Sequence, residues 1–568
     1  MKCTLLLLAI IIAVAASGQT AGRYEVVIDE IMADPSPQVG LPNNEWIELK
    51  NTSLTAFNLQ GWRIEDASGL SGPMPSFMLE PDSFVIVCAG SAAAALTAFG
   101  TTISVSSFPS LDNGGEQLLL RSSQNNIIHA VEYSSTWYQN ELKSEGGWSL
   151  EMIDTKNPCS GSSNWKAGIN SNGGTPGKIN SVDGINTDET APRLKQAFTI
   201  DSVTIRVVFD EPLDSASGAG ILNYRFDNGI SVVNAIAISP FFNQVELKLD
   251  KKMEPQKVYQ LTATNIIDCK GNISPENRAR AGIAEELSAK DVIINEILFN
   301  PRMNANDYVE IYNRSNKICD ASKMYLANRN GSNAISSVKQ LSATPFYIFP
   351  GDYFVATEDL SNLQLNYLVK DPGHVFIISS MPSLPDDNGY ALLLNSQGEI
   401  TDEVDYDKGW HFKLLDNDEG ISLERVSADG SSQDGGNWHS AASTAGFGTP
   451  TYQNSQYKKE EEINAILTIT PPVFSPDNDG RDDIANIQYQ VEEPGFVANI
   501  NIYDAMGRPV KYLVKNGILG IKGNWTWDGL DDKNNPLPVG TYIISAEIFN
   551  LQGKKRQFKK TIVLARQF

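Results

Sequence analysis

The segment Glu25-Val26-Val27-Ile28-Asp29-Glu30-Ile31 decides the fold of this chain, because it occurs twice. It is echoed by Asp291-Val292-Ile293-Ile294-Asn295-Glu296-Ile297, and Pro35 and Pro301 close the two segments at the same offset of 266 residues. Both runs are rich in Val and Ile, which fit the pleated surface of a strand. We therefore expect two equivalent strands, each at the start of a repeated domain.

Five further blocks recur in the same order. They are Glu45-Trp46-Ile47-Glu48-Leu49 with Asp307-Tyr308-Val309-Glu310-Ile311, Asp112-Asn113-Gly114 with Asp387-Asn388-Gly389, Ser149-Leu150-Glu151 with Ser422-Leu423-Glu424, Asn164-Trp165 with Asn437-Trp438, and Gly-Thr-Pro at 174–176 and 448–450. This order predicts two copies of one domain, at residues 24–180 and 291–452. Each copy is a series of short strand-like runs separated by turn sequences such as Asp-Asn-Gly.

Strand-like alternation continues in the two remaining segments, 188–285 and 463–568, the second of which follows a charged linker, Lys458 to Glu462. The clearest runs are Thr204–Phe209, Val245–Leu249, Val258–Leu261, Asn499–Tyr503, Thr541–Phe549 and Phe558–Leu564. Only the alanine-rich residues 92–98 favour a helical turn. The predicted fold is all-β, a string of four β-sandwich domains.

Ile28-Asp29-Glu30-Ile31 with Asn44-Glu45-Trp46-Ile47-Glu48-Leu49, and their counterparts at 294–297 and 308–313, resemble the lamin-tail domain. That family is an Ig-like β-sandwich of nuclear lamins and of many exported bacterial proteins. Residues 207–214 and 267–272 resemble the Ig-like domains of bacterial surface proteins. The resemblances imply Ig-like sandwiches.

The last hundred residues carry four motifs, at 472–480, 502–507, 527–529 and 537–542. Together they resemble the C-terminal domain, also Ig-like, of gliding-motility-associated and type IX-secreted proteins of Bacteroidetes. That family usually shows Asn-Gly-Asp-Gly before Asn-Asp, whereas this chain has Asp477-Asn478-Asp479-Gly480 before Asp482-Asp483. A related hook-scaffold Ig-like family shares this pattern. The resemblance to the type IX-secreted proteins implies recognition by the outer-membrane secretion machinery.

Residues 1–18 have the layout of a secretory signal peptide: Lys2, an apolar run from Leu5 to Ala16, and small residues before Gln19. The run is shorter than the roughly 20 apolar residues of a membrane span, and no later stretch approaches that length. We therefore expect a protein that is secreted or on the cell surface, exported through an outer membrane.

The charge is strongly acidic and unevenly placed. The chain has 45 Lys and Arg against 68 Asp and Glu, a net charge of −23, whereas residues 463–568 have 12 against 11. Because binding of nucleic acids relies on clustered Lys and Arg, no nucleic-acid partner is expected.

Four cysteines follow the expected signal peptide: Cys88, Cys159, Cys269 and Cys319. Their spacings fit neither a disulfide framework nor a zinc site. A Cys88–Cys159 bridge and isolated buried thiols are both open interpretations.

Enzyme motifs are sparse. The chain has no His-Glu-x-x-His, no phosphate-binding glycine loop and no Gly-x-Ser-x-Gly. Glu30 with Glu48, and Glu296 with Glu310, are acid pairs kept in both copies, and two carboxylates suffice for glycoside hydrolysis. Their retention in both copies favours a structural role, so we predict no catalytic residue. Five tryptophans could stack on sugar rings, but large aromatic residues of a β-sandwich more often pack in its core, and we favour that role. They are Trp46, Trp148, Trp165, Trp410 and Trp438.

Calcium is the one cofactor that the sequence suggests. Asp477, Asp479, Asp482 and Asp483 lie in one loop, and Asp528 precedes Gly529 in the same domain. Ca²⁺ takes about six to eight oxygen ligands, which such a loop partly supplies. The alternative is a turn in which these side chains bond their own backbone.

The sequence as a whole predicts an exported, non-catalytic surface protein that binds extracellular protein or polysaccharide. Its C-terminal domain would act as a secretion and attachment signal. Two alternatives stay open: a secreted hydrolase or nuclease acting on extracellular polymer, and a structural spacer of a surface layer.

Overall fold

The computed structural model describes residues 20–413, 415, 417–458 and 466–566. The expected signal peptide and residues 459–462 of the charged linker lie outside the described residues. The described residues form two compact units, one of residues 20–252 with 259–281 and one of residues 253–258 with 282–566. The domain boundaries inferred from the sequence stay a prediction.

The first copy is built from eleven strands. They are β1 Val26–Met32, β2 Trp46–Asn51, β3 Phe57–Asn58, β4 Arg63–Glu65, β5 Met78–Leu79, β6 Phe84–Ala89, β7 Thr102–Val105, β8 Gln117–Arg121, β9 Ile127–Glu132, β10 Leu150–Met152 and β11 Trp165–Ala167. One sheet has the order β11-β10-β1-β2-β6-β7, another β4-β8-β9. All seven residues of β1 are buried, which explains why its sequence reads as an almost unbroken apolar run.

Strands β12 to β18 follow in the same unit. They are β12 Leu194–Asp201, β13 Thr204–Phe209, β14 Tyr224–Phe226, β15 Val232–Ile238, β16 Gln244–Leu249, β17 Tyr259–Ala263 and β18 Asn277–Ala281. They form a four-stranded sheet, β12-β13-β16-β15, and a three-stranded sheet, β14-β17-β18. The alternating burial along β13 and β16 matches their period-two sequences.

The second copy begins the second unit. Its strands are β19 Val292–Leu298, β20 Tyr308–Asn313, β21 Cys319–Asp320, β22 Tyr325–Arg329, β23 Ile335–Gln340, β24 Tyr347–Ile348, β25 Tyr353–Thr357, β26 Val375–Ile377, β27 Asn388–Leu394, β28 Ile400–Asp407, β29 Leu423–Arg425 and β30 Trp438–Ser440. The large sheet runs β26-β25-β20-β19-β29-β30, the same order as in the first copy. Its first strand also shifts register at the equivalent place, between Ile294 and Glu296 as between Ile28 and Glu30.

The C-terminal strands complete the second unit. They are β31 Ile466–Thr470, β32 Val473–Phe474, β33 Ala485–Gln490, β34 Phe496–Asp504, β35 Pro509–Ile518, β36 Lys522–Trp527, β37 Gly540–Asn550 and β38 Lys555–Leu564. The two sheets are β31-β33-β36 and β32-β38-β37-β34-β35, with a shared apolar core that includes Ile487, Ile500 and Trp527.

The described helices are short: α1 Ala93–Leu96, α2 Glu141–Ser144, α3 Ser215–Gly218 and α4 Leu360–Asn366, with several 3₁₀ turns between strands. Helix α1 confirms the helical turn expected within residues 92–98. In the part of the chain that the structure describes, no helix has the length and apolarity needed to cross a membrane. The prediction of an all-β fold with several β-sandwich domains is confirmed.

Candidate functional site

Three strands of the first copy place three glutamates side by side. Glu30 on β1 lies opposite both Glu48 on β2 and Glu151 on β10, and all three are 0 % exposed. Like charges directly opposite each other destabilise a sheet. These side chains therefore need partners that offset both burial and repulsion.

The partners come largely from one segment, residues 174–182, which we call the first strap. Its backbone N–H groups donate to the carboxylates: Thr175 N to Glu30 Oε1 (2.7 Å), Gly177 N to Glu48 Oε2, and Val182 N to Glu151 Oε2 (3.1 Å). The hydroxyls of Ser149 and Ser181 add bonds to Glu30 and Glu151. The glutamates thus tie the strap across the sheet.

The second copy repeats the arrangement with residues 448–456, the second strap. The bonds are Thr449 N to Glu296 Oε1 (2.9 Å), Thr451 N to Glu310 Oε2 (2.6 Å) and Gln456 N to Glu424 Oε2 (2.7 Å). Every carboxylate oxygen of these three glutamates accepts at least one hydrogen bond. The Gly-Thr-Pro sequences that end both copies therefore belong to the straps.

Burial decides the electrostatics of these groups. It raises the pKa of Glu30, Glu48 and Glu310 well above the usual range, and the neighbouring carboxylates raise it further. Burial and the Glu296 charge raise the pKa of Glu424 to about 8. Because the glutamates are buried and bonded to their own chain, the geometry favours the structural interpretation of the acid pairs over the catalytic one.

The tryptophans confirm the core interpretation. Trp46, Trp165 and Trp438 are at most 1 % exposed. Trp148 and Trp410 are partly buried and pack against the cores of the first and second copies.

The acidic C-terminal loop brings three of its predicted ligands together. Asp477, Asp479 and Asp483 each offer an oxygen within 4.8 Å of the others, a spacing compatible with calcium. Asp483 also accepts the backbone N–H groups of Asn478 (2.7 Å) and Gly480 (2.9 Å), as the turn interpretation requires. Calcium at this loop stays a prediction.

The other two predicted ligands do not join this group. Asp482 has a left-handed backbone (φ 53°) and is not in the group of three. Asp528 accepts the N–H of Leu530 at 3.1 Å and lies 3.7 Å from the Lys511 ammonium. A local turn and a cation therefore engage Asp528, which is not in the group of three.

A second acidic group was not foreseen. Asp188, Glu211 and Asp268 bring one oxygen each within 4.8 Å of the others. Burial, Asp188 and Asp268 raise the pKa of Glu211 to about 8. The sequence contained the signal, since Glu211 and Asp268 lie in the two Ig-like motifs, but only the fold shows that the motifs meet.

The cysteines pair differently from the bridge considered in the sequence. Cys159 bonds to Cys269, with a Cα–Cα distance of 6.5 Å, and Cys88 and Cys319 are buried free thiols. The Cys88–Cys159 bridge is therefore wrong, because Cys88 lies in β6 beneath α1, packed against Trp46 and Leu96.

The second strap lines a groove of about 780 Å³. Tyr452 and Gln453 of the strap, Tyr457, Lys370 and Lys522 lie along it. The Lys370 ammonium is 3.7 Å from the centre of the Tyr452 ring, and both lysines are exposed. Aromatic rings, amides and cations together offer surfaces for stacking, hydrogen bonding and attraction of anions.

Comparisons with solved structures give low overall agreement. Domains 1–6 of the surface-layer protein SbsC share 10 % identity (67 % of this chain, 55 % of that chain, TM-score 0.16). A tetra-tandem repeat from the extending region of a large adhesion protein shares 10 % (95 % and 99 %, TM-score 0.13). PorZ, a surface component of the type-IX secretion system of Porphyromonas gingivalis, shares 9 % (93 % and 81 %, TM-score 0.16).

At TM-scores this low, the neighbours carry no argument about this chain, which also spans only about half the length of the SbsC structure. No curated protein matches the sequence at a significant level. Residues 19–135 do match the family model of the lamin tail domain. The lamin-tail resemblance of the first copy is thereby confirmed over those residues.

Proposed function

We propose that the chain is an exported, non-catalytic surface protein that binds acidic polysaccharide in the groove lined by the second copy and the C-terminal strands. The carrying observation is the groove itself, where two tyrosines, the Gln453 amide and two exposed lysines converge. Among the described residues, neither Lys370 nor Lys522 has a carboxylate at ion-pairing distance, so both ammonium groups are available to an anion. A polymer of uronic acids offers the matching chemistry: rings to stack, hydroxyls for amides and carboxylates for ammonium groups.

The straps provide a matched control. Gly448-Thr449-Pro450-Thr451-Tyr452 aligns with Gly174-Thr175-Pro176-Gly177-Lys178, so Lys178 occupies the place of Tyr452 in the first copy. We expect Tyr452→Ala to weaken retention of polygalacturonate about tenfold, a loss of roughly 1.4 kcal/mol of stacking. Lys178→Ala should leave retention unchanged.

The measurement is affinity electrophoresis of the secreted chain in gels with polygalacturonate or neutral dextran, with release of reducing ends assayed in parallel. Retention by the acidic polymer without shortening supports the proposal. Shortening that disappears in Glu30→Gln with Glu296→Gln would favour a hydrolase. No retention of either polymer would favour a structural spacer.

The proposal includes export and attachment through residues 463–568. Strand β38 pairs with β37 throughout, but within the described residues only Val563 and Leu564 also pair with β32, so residues 555–562 have no second strand partner there. Three basic residues at the start of this strand and just before it are held by acids of the same domain: Lys554 by Glu493, Lys555 by Glu547 and Arg556 by Glu492. These pairs suit protection of the edge, whereas the exposed Lys559 and Lys560 suit an acidic receptor.

A reporter with the signal peptide in front and residues 463–568 behind should reach the cell surface in a host with type IX secretion. The same reporter carrying Lys559→Glu and Lys560→Glu should stop in the periplasm. Equal export of both reporters would leave these lysines with edge protection alone, and periplasmic retention of both would remove the export role.

A further inference from the structure

The first copy contains buried oxygen atoms that have no hydrogen-bond donor. Both carboxylate oxygens of Asp29, Oε1 of Glu48 and Oδ1 of Asn180 accept no hydrogen bond from any other described residue, and only the backbone N–H of Asp29 itself reaches its carboxylate. The three side chains are 1 %, 0 % and 6 % exposed. A buried polar atom without a partner costs about 1–3 kcal/mol, and a charged one more. Asp29 and Glu48 lie near enough for their charges to interact, and their unpartnered oxygens point to a missing partner.

The second copy shows how the same position is satisfied. Asn295 stands where Asp29 stands in the first copy, at the same register shift of the first strand. Its Nδ2 donates to Glu310 Oε1 at 2.8 Å and to Asn454 Oδ1 at 2.6 Å. Glu310 and Asn454 are the counterparts of Glu48 and Asn180. The position therefore requires something positive that serves two oxygens at once.

The Asn180 amide is anchored in the same way as its counterpart in the second copy. Its Nδ2 donates to the backbone oxygens of Asp29 (2.8 Å) and Met152 (2.9 Å). The Nδ2 of Asn454 donates to the backbone oxygens of Asn295 and Arg425, both at 2.9 Å, and its Oδ1 accepts from the Asn295 side chain. Because the two amides share this anchoring, the second copy indicates that Asn180 Oδ1 is directed at the Asp29 side chain.

A proton does not replace the amide group. The Asn295 amide has two N–H bonds and uses both, whereas a protonated Asp29 would have a single O–H bond. One of Glu48 Oε1 and Asn180 Oδ1 would then still lack a donor, and a second proton, on Glu48, would be needed to satisfy both. The Lys50 ammonium lies near enough for its charge to act on Asp29, against the burial that raises the pKa of Asp29. It donates its hydrogen bond to Thr155 Oγ1 at 3.1 Å and none to these oxygens.

We propose that Asp29, Glu48 and Asn180 bind a divalent cation of the calcium type, in the place that the Asn295 amide fills in the second copy. Two carboxylates and an amide carbonyl are the hard oxygen ligands that Ca²⁺ prefers. Two negative charges balance the cation in a site where burial excludes other counter-ions. The exchange of asparagine for aspartate between the copies thus converts a hydrogen-bonded position into a metal position.

The test uses the full-length secreted chain, equilibrated with millimolar Ca²⁺ and then passed through gel filtration. Inductively coupled plasma mass spectrometry then counts the calcium ions retained per chain. Asp29→Asn should retain one calcium fewer than the wild type, because it restores the amide of the second copy and is expected to fold. Glu48→Gln should also lose one. Asp112→Asn removes an exposed acid of the same copy and should retain the wild-type count.

The difference between variants, rather than the total, reports on this site, so calcium bound at the acidic loop of the C-terminal domain does not affect the result. Wild-type calcium content in both Asp29→Asn and Glu48→Gln would overturn the proposal, as would a wild-type chain that retains no calcium. The buried oxygens would then share protons.

Discussion

Replacing Glu296 by alanine is expected to lower the free energy of unfolding of the second copy by about 4 kcal/mol. Glu296 is 0 % exposed and accepts hydrogen bonds from Tyr308 Oη (2.7 Å), Ser422 Oγ, Thr449 N (2.9 Å) and Thr449 Oγ1 (2.8 Å). The alanine variant leaves Tyr308 Oη and Thr449 N without an acceptor. The Ser422 hydroxyl keeps a bond to the Phe447 carbonyl (3.3 Å), and the Thr449 hydroxyl keeps Glu424 Oε1 (3.0 Å). Each unsatisfied donor costs roughly 1–3 kcal/mol, less what water entering the cavity recovers.

Hydrogen exchange of peptides from β19, β20 and β29, followed by mass spectrometry over a urea series, measures the change where it occurs. Asp405→Ala, an exposed acid on β28, is the matched control and should change the free energy by less than about 0.5 kcal/mol. If the second copy were as strongly protected from hydrogen exchange in the Glu296→Ala variant as in the Asp405→Ala variant, the second strap would not depend on its carboxylate anchors.

The strands were largely predictable, because their signal is local. The alternation in Thr204–Phe209 and Gln244–Leu249 follows directly from one buried and one open face. The order of the large sheet in the second copy follows that of the first, as the repeated blocks predicted. In both copies the first strand is buried on both faces, so periodicity failed there and the repetition identified it instead.

The role of the glutamates was only half predictable. The sequence showed that Glu30 and Glu48 were kept in both copies, and the structural interpretation expected backbone or hydroxyl partners. It did not show that the partners lie in the strap, because Thr175 is 145 residues from Glu30 along the chain. Such a contact depends on how the sheet places distant segments, and one sequence carries no local sign of it.

The acidic groups show the same division between local and distant contacts. The turn at Asp477 to Asp483 was predicted from neighbouring residues, since Asx turns form within a few positions. Asp528 lies about fifty residues away and was predicted as a calcium ligand because it precedes Gly529 in the same domain. In the structure it accepts a hydrogen bond from Leu530 and lies close to Lys511 instead. The groove beside Tyr452 has no sequence signature, because its walls come from four separate stretches.

Removing the disulfide is expected to lower the free energy of unfolding of the first unit by about 4–5 kcal/mol. Cys159 and Cys269 are separated by 110 residues, and closing a loop of this length restricts the unfolded chain strongly. The bond joins the end of the first copy to the strands that follow it in the same unit. Cys159→Ser with Cys269→Ser should therefore unfold residues 20–281 at markedly lower urea, with the native fold otherwise kept.

A reductant supplies the internal control. Dithiothreitol should bring the wild-type chain to the stability of the double variant and leave the double variant unchanged, because Cys88 and Cys319 are already free. Burial raises the pKa of the Cys88 thiol to about 11, so few thiolates are available there to exchange with the bond. Peptide mapping without reduction should recover Cys159 linked to Cys269. Recovery of Cys88 in the linked peptide, or equal urea midpoints with and without reductant, would contradict the pairing and the stabilisation that follows from it.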